Sequence, residues 1–153
     1  MVFRKEAPPK TRKEFMRWYS NQVESNVDGD YDDPAVTSEE LRNWYMEMIE
    51  TFPPMSGPYM NEDDDSPNVT EYNMRNDSIY MSFAWSVADE ALRTVLKLAE
   101  KHGVGFFNVS DDKGGILFPE NGKLISIKEF HKIQSGADSN KESKPWWKSI
   151  FGS

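Results

Sequence analysis

A chain of 153 residues is long enough for one domain, and burying roughly 70% of its unfolded surface gives it an ordinary core without staples. It has no cysteine, which excludes a disulfide framework, a thiolate metal site and a thiol nucleophile. Its net charge of −8 disfavours nonspecific nucleic-acid binding, which needs clustered Lys and Arg, and is compatible with a basic protein partner.

The opening MVFRKEAPPK holds no apolar stretch of signal-peptide or membrane-span length, so cytoplasm is the expected compartment and no stable membrane association is expected. Met1, Val2 and Phe3 can supply a short edge strand. Thr11-Arg-Lys-Glu14 is a capping-box pattern, and Phe15, Trp18, Tyr19 and Val23 follow at helical spacing, which predicts a helix over 12–24. Residues 25–36, SNVDGDYDDPAV, form a polar linker rich in turn residues. A second box, Thr37-Ser-Glu-Glu40, opens a helix whose stripe is Leu41, Trp44, Tyr45, Met48, Ile49 and Phe52. Pro53 and Pro54 stop it near Thr51. Residues 53–68, PPMSGPYMNEDDDSPN, read as a long irregular loop, of the kind that is functional or mobile.

The stretch from Ser78 to Ser110 organises the rest. An apolar run ends near Trp85. A helix follows with Ala88, Ala91, Leu92, Val95, Leu96 and Ala99 on one face, capped by Ser86 and stopped at Gly103. The apolar run Val104–Val109 closes a βαβ pattern. Val69–Met74 and Ser78–Ala84 predict a hairpin upstream of that helix. Asn121-Gly122 predicts a second, type I′ hairpin joining residues 115–119 to 123–126. Ser126-Ile-Lys-Glu129 opens a short last helix. Residues 135–144 read as a polar linker, followed by the aromatic tail PWWKSIF. The expected fold is therefore α+β: an antiparallel sheet with helices on one face, a ferredoxin-like split βαβ with an inserted helix and a C-terminal hairpin. Residues 1–134 form the single domain, and 135–153 are linker and tail.

Asp28, Asp30, Asp32 and Glu39 stand at positions 1, 3, 5 and 12 of a calcium-type loop, but Asp33 replaces the Gly such a loop needs at position 6 and Pro34 occupies position 7. The segment reads as a solvated linker, and no metal or other cofactor is expected. Glu62, Asp63, Asp64 and Asp65 form a second carboxylate run. Both runs flank the second helix, so they can combine into one negative face. His102 and His131 are the only histidines, and His102 suits the helix C-terminus electrostatically. No phosphate loop, nucleophile elbow or zinc-protease pattern occurs, and no spacing picks out a triad or an acid pair, so no catalytic residue is assigned.

With these motifs laid out, DYDDPAVTSEELRNWYMEMIETFPPMSGP and FAWSVADEALRTVLKLAEKHGVGFFNVS resemble a family of small bacterial cytoplasmic proteins. The resemblance spans roughly residues 10–120 and brings no activity and no site residues. The KPWWK tail is similar to the ends of several small bacterial proteins found beside polymorphic toxins, immunity proteins among them.

The first reading is a non-enzymatic protein-binding domain, most specifically an immunity protein that occludes a toxin's active site. Its contacts would be Asp28, Asp30, Asp32 and Asp33 with Glu62, Asp63, Asp64 and Asp65, facing a basic cleft, and Tyr31 and Tyr59 as anchors. The second reading is a small-ligand binder or enzyme, with a pocket between the aromatic helices and the sheet lined by Trp18, Trp44, Tyr45 and Trp85. A third is a homo-oligomer held by the aromatic tail.

Overall fold

Val2 and Phe3 are adjacent in sequence and both are fully buried, which a strand permits only when both faces of its sheet are covered. In the computed structural model, which describes residues 1–24, 31–111 and 113–134, these two side chains seed two separate cores. Strand β1 (Val2–Arg4) lies between β3 (Ser78–Ser82) and β4 (Val104–Phe107), antiparallel to both. Strand β2 (Glu71–Met74) pairs with β3 at one edge. On the other side β5 (Ile116–Glu120) and β6 (Lys123–Ser126) complete the order β2-β3-β1-β4-β5-β6. The first four strands have the split βαβ order, the C-terminal hairpin extends it, and every pairing is antiparallel.

Helices cover the two faces unequally. Helix α2 (Glu39–Thr51) and α3 (Ala88–His102) bury Leu41, Trp44, Tyr45, Met48, Val95 and Leu96 against the Val2 face. The indole N–H of Trp44 donates to the Val95 carbonyl at 3.3 Å, tying the two helices together. Helix α1 (Arg12–Glu24) and α4 (Ile127–Gln134) pack on the Phe3 face instead. That core is aromatic: the Phe3 ring meets Phe15 at 5.3 Å and Phe118 at 5.2 Å edge-on, and Phe118 stacks on Phe130 at 4.6 Å. Gly105 makes this possible, because a Cβ there would lie 2.1 Å from the Phe3 ring. The expectation of helices on one face thus holds for α2 and α3 only. The inserted helix is α1, and its apolar stripe is satisfied on the opposite side.

The ends of the elements follow local chemistry with two corrections. Thr11 accepts from the Glu14 N–H at 3.4 Å, and Ser126 accepts from the Glu129 N–H at 3.2 Å, as their capping boxes predict. At α2 the cap position falls on Ser38, whose side chain makes no cap bond, because Thr37 closes a 3₁₀ turn (Pro34–Val36) and its hydroxyl donates to the Asn76 carbonyl. Ser86 does not cap α3 either. It lies inside a 3₁₀ turn, Trp85–Val87, that precedes the helix. Gly103 ends α3 at φ +66°, and Asn121 (φ +50°) and Gly122 (φ +75°) make the expected tight hairpin with Glu120 opposite Lys123.

Candidate functional site

The long loop after α2 is closed and ordered by its own backbone. Met55 N–H donates to the Thr70 carbonyl and Thr70 N–H to the Pro53 carbonyl, each at 2.8 Å, so the loop's base is a single rung. Asn68 braces it by donating to the Thr51 carbonyl at 2.9 Å. Between these points runs a chain of turns: Met60 N–H to Gly57, Asp64 N–H to Asn61 and Val69 N–H to Ser66. The side chains of Asn61 and Asp64 accept from the N–H groups of Asp63 and Ser66, which is why this stretch is rich in Asn, Asp and Ser.

The segment before α2 is anchored as firmly. Tyr31 offers its carbonyl to the Met74 N–H on the edge strand β2. Asp33 caps the 3₁₀ turn by accepting from Ala35 N–H at 2.9 Å. Arg42 of α2 reaches back to the carbonyls of Pro34 at 3.2 Å and Thr37 at 3.0 Å. An edge strand with unpaired groups invites unwanted pairing, and this segment covers part of β2.

The two segments meet at Gly57 and Tyr45. Gly57 has φ +93°, and a Cβ there would stand 2.4 Å from the Asp32 carbonyl oxygen, so the loop lies directly on Asp32. Two residues on, the Tyr59 ring packs edge-on against Tyr45 at 6.3 Å, and Tyr45 in turn meets Tyr72 at 5.0 Å. Tyr45 is fully buried, and its hydroxyl has no hydrogen-bond partner among the described residues. Burial first, then Tyr59, Asp32 and Asp33, push its ionisation far above the usual tyrosine value, so it remains neutral. The outer surface of this junction is apolar, with Met55, Tyr59 and Met60 exposed at 54%, 47% and 40%.

Of the residues expected to bind a partner, Tyr31, Asp32 and Asp33 are half-buried beside that junction and Tyr59 is part of it. Glu62, Asp63 and Asp65 are exposed on the same loop, while Asp64 is half-buried and holds a turn. Asp28 and Asp30 lie outside the described residues, as does the aromatic tail. The four aromatics expected around a ligand pocket do not converge. Trp44 and Tyr45 are core on the Val2 face, Trp18 packs on the Phe3 face, and Trp85 is 95% exposed. Met55 and Met60 were not singled out from sequence. Their spacing around Tyr59 was the available signal.

Among the described residues, no group of three or more His, Asp or Glu is placed to hold a metal ion, and no helix is long and apolar enough to cross a membrane. His102 sits 3.1 Å from the Glu47 carboxylate, joining α3 to α2 at its last turn. No protein-family model, no curated protein and no solved structure matches this chain.

Proposed function

We propose that this chain is a non-enzymatic protein-binding domain that engages a basic partner through the junction of the segment 31–36 and the loop 53–70. The observation that carries this reading is the arrangement at Tyr59. An exposed apolar patch of Met55, Tyr59 and Met60 stands on an ordered loop seated on Asp32, with Glu62–Asp65 next along the chain. Interfaces combine an aromatic and methionine centre with a polar rim, and the centre supplies most of the affinity. The carboxylates would speed encounter with a positively charged face and reject acidic ones. The finer reading is an immunity protein whose partner is a toxin domain with a basic active-site cleft. The acidic charge and the absence of a catalytic spacing in the sequence support it.

The test is affinity capture with the tagged chain, beside Tyr59→Ala and a triple Asp63→Asn, Asp64→Asn, Asp65→Asn variant. Asn at position 64 keeps the oxygen that accepts from Ser66, so the loop's turn survives. A single basic partner is expected, weakened by about 2 kcal/mol, some thirtyfold, on loss of the Tyr59 ring. The triple variant is expected to slow association and to remove most of its salt dependence. Capture unaffected by both variants, or no partner at any salt, sinks the proposal. For the immunity reading, the captured domain must also lose its toxic activity when this chain is added in equal amount.

A further inference from the structure

On the other side of the sheet, four of the chain's 18 Lys and Arg residues line one cavity. A cavity of about 570 Å³ opens between the starts of α1 and α4 and the turn that joins β4 to β5. That is within the ordinary size range of small-molecule sites. Lys10, Arg12, Lys113, Lys128 and His131 line it, and Asp111 is the one carboxylate among the described lining residues. The whole chain carries 26 acidic against 18 basic residues, whereas the described lining holds four Lys and Arg to one carboxylate.

Two of these cations are already fixed in position. Arg12 donates through Nη1 to the Gly114 carbonyl at 2.8 Å, which anchors the guanidinium beside the β4–β5 turn. Lys10 donates to the carbonyls of Lys5 and Pro8 and stands 4.7 Å from the centre of the Phe118 ring. Burial lowers its pKa from the ordinary lysine value, with the Glu6 carboxylate opposing that shift and Lys5 adding to it. Lys113 and Lys128 are exposed at the rim, and Ile116 and Ile127 close the floor. The Asp111 carboxylate is turned back to accept from the Lys113 N–H at 3.0 Å.

We propose that this cavity binds a small phosphorylated molecule, its phosphate groups held by Lys10, Arg12, Lys113 and Lys128. Four cations around one cavity exceed what a single carboxylate ligand neutralises, and phosphate offers more oxygens for Arg and Lys donors in the same volume. The ligand is small because the cavity is about 570 Å³, and a net charge of −8 disfavours binding a longer nucleic acid. The site is separate from the protein-binding junction and does not rest on it.

The experiment is calorimetric titration of the full chain with pyrophosphate at low salt, with Lys113→Glu, Lys128→Glu and Lys123→Glu variants. Lys123 is equally exposed but lies on the β5–β6 turn outside the cavity. Binding of one pyrophosphate per chain is expected. It should weaken by about tenfold or more with either cavity lysine reversed and be nearly unchanged with Lys123 reversed. Equal melting temperatures would show that the variants remain folded. Three results overturn the proposal: no pyrophosphate binding at millimolar concentration, equal loss in the Lys123 variant, or tighter binding of a short DNA duplex than of pyrophosphate.

Discussion

Gly57 shows how much of the binding surface depends on one missing side chain. Its φ of +93° is costly for an L-residue, and the Asp32 backbone occupies the place where a Cβ would go. Gly57→Ala is expected to cost about 2–4 kcal/mol in urea unfolding, from the strained φ and the displaced neighbour together. Gly103→Ala, where φ is +66° but the surrounding space is empty, should cost only about 1 kcal/mol. Equal losses at the two positions would mean that the contact with Asp32 contributes nothing. The sequence marks Gly57 as a turn residue through its Ser-Gly-Pro context. It does not say that Asp32, far away in the chain, is the neighbour that demands glycine.

Between elements, Glu47 of α2 links that helix to the end of α3. Hydrogen bonding to Lys101, then to His102, holds its carboxyl pKa below the ordinary value of 4.5. A carboxylate with a depressed folded pKa adds stability that is complete above its unfolded pKa and is lost as pH falls through the folded one. Glu47→Gln is therefore expected to flatten the decline in stability below about pH 4.5 and to change little near neutrality beyond a constant offset. Urea midpoints measured from acid to neutral pH test this, and parallel curves for the two proteins would refute it. From sequence, His102 was correctly placed at the end of α3. Its partner was not legible, because Glu47 sits on another helix whose rotation is set by burial of Trp44, Tyr45 and Met48. The same limit applies at α3's start, where Trp85 was expected to line a pocket and a 3₁₀ turn instead leaves that indole in solvent.

For the whole molecule, one sheet serves two cores. Phe3 is fully buried among Phe15, Trp18 and Phe118, and Phe3→Ala is expected to cost about 3–5 kcal/mol. Because Val2 on the same three-residue strand belongs to the opposite core, both halves should unfold in a single transition. Separate transitions in tryptophan fluorescence and circular dichroism would contradict that. Periodicity and turn chemistry by themselves determined the helices and the two hairpins, since these depend on residues close in sequence. The strand order of the split βαβ core rests instead on Val2 pairing with Ile79 and Phe106, far along the chain. Which face each helix covers was decided only by tertiary structure. An apolar stripe states that a helix must be buried, not on which side of a sheet, and the polar linker after α1 imposes neither. The apolar runs Val104–Phe107 and Ile116–Phe118 held the missing clue, because strands without alternation are covered on both faces. The meeting of Gly57 with Asp32, and the gathering of Lys10, Arg12, Lys113 and Lys128 around one cavity, likewise join residues distant in the chain. Local sequence chemistry carries no term for such contacts, and the folded sheet supplies it.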